Sequence, residues 1–237
     1  MTNSQKSIRD QRRQRAKRQK QTQSIGMIII GIVILVAVGL GLSYATDRAI
    51  VLLDPPGHSH PTPEMNAMGD PNAPVVVENY SSFACGHCYN FFSDSEGLFI
   101  ENYVKTGLVY YIFQPYQTDS TQISSQASHA SMCAGEQGAF WDLHDMIFAN
   151  FSTGYTRSNL DDMAENFNLD LDAFDNCMDS DKYYDEIIQN TQSAYEDLGV
   201  DGTPTFVING EVALVGNEGY AALSQAIELA LATAQSD

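Results

Sequence analysis

Two cysteines separated by two residues, placed where a strand hands over to a helix, constrain this chain more than anything else in it. Residues 73–80 carry Val75, Val76 and Val77, a short apolar, β-branched run that fits a buried strand. After Cys85-Gly86-His87-Cys88, the residues Phe91, Phe92, Ser95, Leu98, Phe99 and Tyr103 recur at three-to-four spacing, as one face of a helix does. Cys85 therefore falls at a helix N-terminus, where free backbone N–H groups and the positive end of the helix dipole favour a thiolate. The two-residue spacer lets Cys88 reach back to Cys85 within the first turn. His87 adds positive charge or a donor beside the thiolate when the pair is reduced. All three effects favour the dithiol and so make the disulfide a better oxidant.

A C-x-x-C has two other common uses. Half of a zinc site needs a second pair of ligands at set spacing, and Cys133 and Cys177 stand alone, far apart in sequence. A purely structural disulfide across a two-residue loop constrains the unfolded chain very little. Redox chemistry fits the motif best.

The charge is sharply divided. Eight of the 12 Lys and Arg lie between Lys6 and Lys20, whereas from Asp54 onward 3 basic residues face 28 acidic ones. A surface at 3 − 28 = −25 does not bind nucleic acid or anionic headgroups. It is a solvated acidic surface that keeps the chain soluble, or an adaptation to a salty exterior.

Residues 1–23 are polar and basic without apolar periodicity, and read as a cytoplasmic arm. Residues 24–45 then form 22 uncharged positions rich in Ile, Val, Leu and Gly. As a helix they span about 33 Å, enough to cross a membrane. We expect a transmembrane anchor at 24–46, with the basic side in the cytoplasm and the remainder exported. Ser43-Tyr44-Ala45 also fits a signal-peptide cleavage site, although the apolar run exceeds the roughly 7–15 residues of such a peptide. Either way the folded part lies where disulfides persist. Residues 47–68, with Pro55, Pro56, Pro61 and Pro63, read as a linker, and the domain is expected over 69–237. His58 and His60 form an H-x-H without a third ligand nearby in sequence, so no metal and no cofactor is expected.

Within the domain, 108–113 is a second apolar strand ended by Pro115. Helical patterns follow over 122–134, 139–150, 170–178 and 182–198, the last stopped by Gly199. Residues 205–208 and 212–215 flank Asn209-Gly210, a two-residue hairpin signal, and 220–233 is amphipathic. His129 and His144 sit on helices as satisfied histidines, and Phe140 and Trp141 as core. In an oxidising compartment Cys133 and Cys177 are read as a structural disulfide, with free buried thiols and a second redox pair as alternatives.

Strand, C-x-x-C, helix, strand, helical insertion (about 119–199), then Thr203-Pro204 entering a hairpin and a last helix, resembles the α/β thioredoxin-like fold of the DsbA family. Gly69-Asp70-Pro71-Asn72-Ala73-Pro74-Val75 resembles the lead-in of membrane-anchored members. Cys133 to Trp141, with His144-Asp145 following, resembles their insertion. The resemblance covers roughly 69–232. It implies that Cys85 is attacked by the substrate thiolate and that Cys88 is its buried partner. Pro204 is implied to be a cis-proline beside the disulfide, with Thr203 offering backbone to an extended substrate. Two departures stand out. Where the family often buries a Glu six residues before the first cysteine this chain has Asn79, and Glu78 points to the other face of a regular strand. The dipeptide is Gly86-His87, as in disulfide isomerases, which hints at a milder oxidant than Pro-His enzymes.

The expected function is an extracytoplasmic, membrane-anchored thiol–disulfide oxidoreductase that introduces disulfides into exported polypeptides with free thiols. The resemblance implies reoxidation by a membrane partner of the DsbB or VKOR type. The rivals are a reductase or isomerase kept reduced by a membrane protein, and a metallochaperone holding Cu(I) between Cys85 and Cys88.

Overall fold

The computed structural model describes residues 52–118 and 123–235. The expected arm at 1–23 and anchor at 24–46 lie outside them. Among the described residues no helix is long and apolar enough to cross a membrane.

Five strands form one sheet in the order β1-β3-β2-β4-β5. They are β1 (Ala67–Met68), β2 (Val75–Ser81), β3 (Val109–Pro115), β4 (Thr205–Ile208) and β5 (Glu211–Val215). β2 and β3 run parallel, while β1 is antiparallel to β3, β4 to β2 and β5 to β4. The hairpin forms where expected: Asn209 (φ 50°) and Gly210 (φ 83°) both occupy the left-handed region that a two-residue type I′ turn requires.

The helix after the dithiol departs from an ideal one. It begins as α1 (Gly86–Phe91) and runs on through a π-type turn at Phe92–Glu96, an α turn at Gly97–Phe99 and a second π-type turn at Ile100–Val104. Each π turn accommodates an extra residue. The buried positions therefore recur in pairs at a period of four: Phe91 and Phe92, Ser95 and Glu96, Phe99 and Ile100, Tyr103 and Val104. A 3.6-residue period puts Leu98 inside; the widened helix leaves it 53% exposed and turns Glu96 into the core instead.

Residues 123–198 form the helical insertion: α2 (Ile123–Gly135), α3 (Phe140–Ala149), α4 (Arg157–Ala164), α5 (Leu171–Asp179) and α6 (Tyr184–Leu198). Gly199, at φ 70°, caps α6 in the left-handed conformation that ends helices. α7 (Tyr220–Ala234) covers the sheet with Leu223, Ile227 and Leu231. Cys133 on α2 and Cys177 on α5 are joined by a disulfide. Buried His129 lies beside it; its Nδ1 accepts from the Tyr183 N–H and its Nε2 lies 3.2 Å from the Cys177 carbonyl. Trp141 and Phe140 are buried.

The Pro-rich stretch expected as a linker is in part structural. Leu53 exchanges two hydrogen bonds with the Asn150 side chain, and β1 sits at the sheet edge. The Trp141 indole N–H holds β1 by donating to the Ala67 carbonyl at 3.0 Å. Prolines disfavour helix but leave an extended chain free to lie along a surface, and this one is held there by side chains from the insertion.

Replacing Cys133 and Cys177 together by Ala reopens a connection spanning 44 positions. The expected loss, read by urea unfolding, is roughly 3–4 kcal/mol, with the Cys85 titration unchanged.

Candidate active site

The site is assembled by strand pairing. β2 runs toward the dithiol, and its partner β4 runs antiparallel with Tyr80 opposite Thr205. That register brings the residues just before Thr205 level with the loop that follows Ser81. The cis Thr203-Pro204 peptide thus lies against the dithiol, and the Cys85 sulfur, which donates when protonated, lies 3.3 Å from the Thr203 carbonyl across 118 residues of sequence.

Cys85 is the N-cap of α1, in extended conformation (φ −98°, ψ 120°), and its carbonyl accepts from the Tyr89 N–H at 3.0 Å. Gly86 and His87 are exposed, and Cys88 faces inward at 1% exposure. Gly86 has open space around its Cα, so the structure places no steric demand for glycine there. Both cysteines are free thiols.

Their acidities are driven apart. A hydrogen bond from Cys88 is the largest influence on Cys85; burial opposes it, and the Thr203 side chain with the N–H groups of Cys88 and His87 reinforces it. The balance lowers the Cys85 pKa to about 5, a thiolate at neutral pH. Cys88 is pushed up, first by burial and then by the neighbouring Cys85 sulfur. Its Sγ accepts from the Ser82 N–H at 3.5 Å. One sulfur is an accessible nucleophile and the other a covered proton holder. That pair can exchange a disulfide with an incoming thiol, with Cys85 as the sulfur attacked.

Tyr155, Ser82 and the Tyr89–Phe151 pair escape sequence reasoning, whereas Asn79 and Glu78 take the faces of β2 that its two-residue period predicts. Tyr155, from the insertion, donates to the Phe83 carbonyl at 2.7 Å and fixes the loop that enters the motif. The Ser82 hydroxyl lies 2.9 Å from that of Thr118 and 3.3 Å from the Ala84 nitrogen, which donates to it. Tyr89 stacks on Phe151 with ring centroids 5.1 Å apart. Asn79 is 1% exposed and donates to the Tyr111 hydroxyl, which donates in turn to Glu96 at 2.6 Å. Glu78 faces the other side of the sheet, accepting from Gln114. A sequence shows residue types at these positions but not the long-range contacts that give them work.

A family model described as Thioredoxin matches residues 62–229. The Na+/H+ antiporter NhaA 3 of Salinispora tropica is 34% identical over 169 residues, which is 70% of this chain and 25% of that protein. A Rickettsia typhi protein, provisionally named a protein-disulfide oxidoreductase, is 25% identical over 171 residues, 69% of this chain and 61% of that protein. The chain thus spans about a quarter of the first relative's length and about three fifths of the second's. Among solved structures, α-DsbA1 of Wolbachia pipientis aligns with a TM-score of 0.65 at 26% identity, covering 72% of this chain and 92% of that one.

Alkylation of Cys85 in the reduced protein should rise with pH to half-maximum near 5. In denaturant the midpoint should return to about 8.5. The depressed pKa stabilises the folded dithiol form; that contribution is complete above the unfolded thiol's pKa and is lost as pH falls through about 5. Cys88→Ala should move the folded midpoint upward. A midpoint fixed in that variant would refute the thiol pairing.

Proposed function

This chain belongs to the thioredoxin family, and from that premise we propose that it is a protein thiol–disulfide oxidoreductase working as an oxidant outside the cytoplasm. The observation that carries the reading is the division of labour between an accessible Cys85, held as a thiolate, and a covered Cys88, held as a thiol. Stabilising the reduced pair in this way raises the reduction potential of the disulfide.

The cycle starts from the Cys85–Cys88 disulfide. A substrate thiolate attacks the Cys85 sulfur, a mixed disulfide forms, and the Cys88 sulfur leaves and takes up a proton. A second substrate thiolate then attacks the substrate sulfur of the mixed disulfide and expels Cys85 as thiolate. The substrate loses two electrons and the enzyme gains them. The Thr203 backbone beside Cys85 offers an extended substrate segment a strand-like partner during the exchange. The Asn79–Tyr111–Glu96 chain replaces a single buried acidic residue beneath the site, so protons reach Cys88 by water or by another group.

The uncharged run at 24–46, preceded by eight basic residues, supports an anchor with the redox domain on the outer side. Exported polypeptides with free thiols are then the substrates, and a membrane protein of the DsbB or VKOR type returns the dithiol to the disulfide. The name of the Rickettsia typhi relative supports the same class of chemistry.

Equilibration with glutathione buffers tests the direction. An oxidant should show a potential above about −180 mV, whereas a value near −270 mV would make the protein a reductase. With a reduced, unfolded test protein, Cys85→Ser should abolish oxidation. Cys88→Ser loaded beforehand with oxidised glutathione as a Cys85–glutathione mixed disulfide should exchange it for a mixed disulfide with the test protein at Cys85, releasing glutathione. Stoichiometric Cu(I) retained by the dithiol without thiol turnover would favour a metallochaperone.

A further inference from the structure

The two histidines of the Pro-rich stretch do not stand alone once the chain is folded. His58 lies over the widened helix after the dithiol, and one ligand atom from each of His58, Glu96 and Asp145 falls within 4.8 Å of the others. The three residues come from three different elements: the lead segment, the Phe92–Glu96 π turn and α3. Glu96 is 1% exposed, Asp145 3%, and the His58 side chain 11%.

Each carboxylate is held through one oxygen, and only Glu96 leaves its other oxygen without a partner. Glu96 Oε1 accepts from the Tyr111 hydroxyl at 2.6 Å, while Oε2 is buried without a partner. Asp145 Oδ1 is bonded to His144 Nδ1 at 2.9 Å, and Oδ2 lies 3.5 Å from His58 Nδ1. His58 Nδ1 is itself buried with no hydrogen-bond partner. His60 Nε2 reaches the same Asp145 Oδ2 at 3.1 Å, with Asp142 Oδ1 3.6 Å from its other nitrogen. Tyr111 and His144 therefore act as outer partners that fix the carboxylates, as the second shell of a metal centre does.

Asp145 is paired with His60 and His144, whereas buried Glu96 makes no ion pair among the described residues. The orphaned Glu96 Oε2 on one element, converging with the orphaned His58 Nδ1 on another beside Asp145, is costly unless something bridges them. The helix also makes room for the ring. A Cβ at Gly97 would lie 3.0 Å from His58 Cδ2 and 3.1 Å from Nε2. A cleft of about 330 Å³, lined by His58, Ser93, Asp94, Gly97 and Glu101, opens beside the ring.

We propose that His58, Glu96 and Asp145 form a binding site for a divalent first-row transition cation, of which Zn²⁺ is the test case, that clamps the lead segment onto the redox domain. One imidazole with two carboxylates suits such a cation better than Ca²⁺ or Mg²⁺, which take oxygen ligands in larger number. The ligands do not include the dithiol, although Glu96 also ends the hydrogen-bonded chain beneath it, and the site's effect is on how the lead segment is held against the domain. A second group of candidate ligands, His129 with Cys133 and Cys177, is closed to a metal because the cysteines are bonded to each other.

The test uses the full chain carrying Cys85→Ser and Cys88→Ser, which removes the competing thiols. Zn²⁺ titrated against a chromophoric chelator should bind at one ion per chain. His58→Ala and Glu96→Gln should each weaken it by at least about 10-fold. Saturating Zn²⁺ should raise the melting temperature and slow proteolysis of residues 52–66 in the parent, and do neither in His58→Ala, whose substitution lies outside the core elements. Absence of stoichiometric binding would overturn the proposal. So would binding that neither substitution weakens, which would mark adventitious surface carboxylates.

Discussion

The antiparallel pairing of β2 with β4 is the constraint on which the chemistry of this molecule depends. β2 alone delivers Cys85 to a helix N-terminus, which gives a thiol some acidity and nothing to react beside. The Tyr80–Thr205 register adds the Thr203 carbonyl at 3.3 Å and seats Pro204 behind the dithiol. A slip of one residue would turn the side chains of β4 to the opposite face of the sheet and break this arrangement. All four residues of β4 are buried, so apolar packing on both faces fixes the register firmly.

Burial then divides the two sulfurs. Cys88 sits under the first turn of α1, where desolvation makes its thiolate costly, so its proton stays and is offered to Cys85. The insertion closes the arrangement from outside, with Tyr155 bonded to the Phe83 carbonyl and Tyr89 stacked on Phe151. The disulfide between α2 and α5 holds two insertion helices together independently of the redox pair.

Behind this site runs a polar layer unusual for a sheet–helix boundary. Asn79, Tyr111 and Glu96 form one hydrogen-bonded chain, and His144 and Asp145 form a second pair. His144 is enclosed by the rings of Phe83, Phe92, Phe113 and Phe148, and its Nε2 has no partner. Leaving a buried polar atom unpaired costs roughly 1–3 kcal/mol. The π turns are the device that admits Glu96 to this layer, because they stretch the buried repeat from 3.6 to four residues.

The sequence by itself determined what depends on neighbours along the chain. The strand–C-x-x-C–helix junction, the Asn209-Gly210 turn and the Gly199 stop each follow from backbone preferences within a few residues, and all stand where those preferences put them. Even the face on which Asn79 and Glu78 lie follows from the two-residue period of a strand. Tertiary structure alone decided what depends on distant partners. The π register that buries Glu96 and frees Leu98 reflects packing against the sheet. Ser82 and Tyr155 acquire roles only through contacts made across the fold. Residues 52–68, rich in proline, carry no periodicity that shows they dock; Trp141, Asn150 and Asp145, roughly 75 to 100 positions away, provide the bonds that hold them. Local conformational preference is written in adjacent side chains, whereas convergence of buried groups is set by the path of the whole chain.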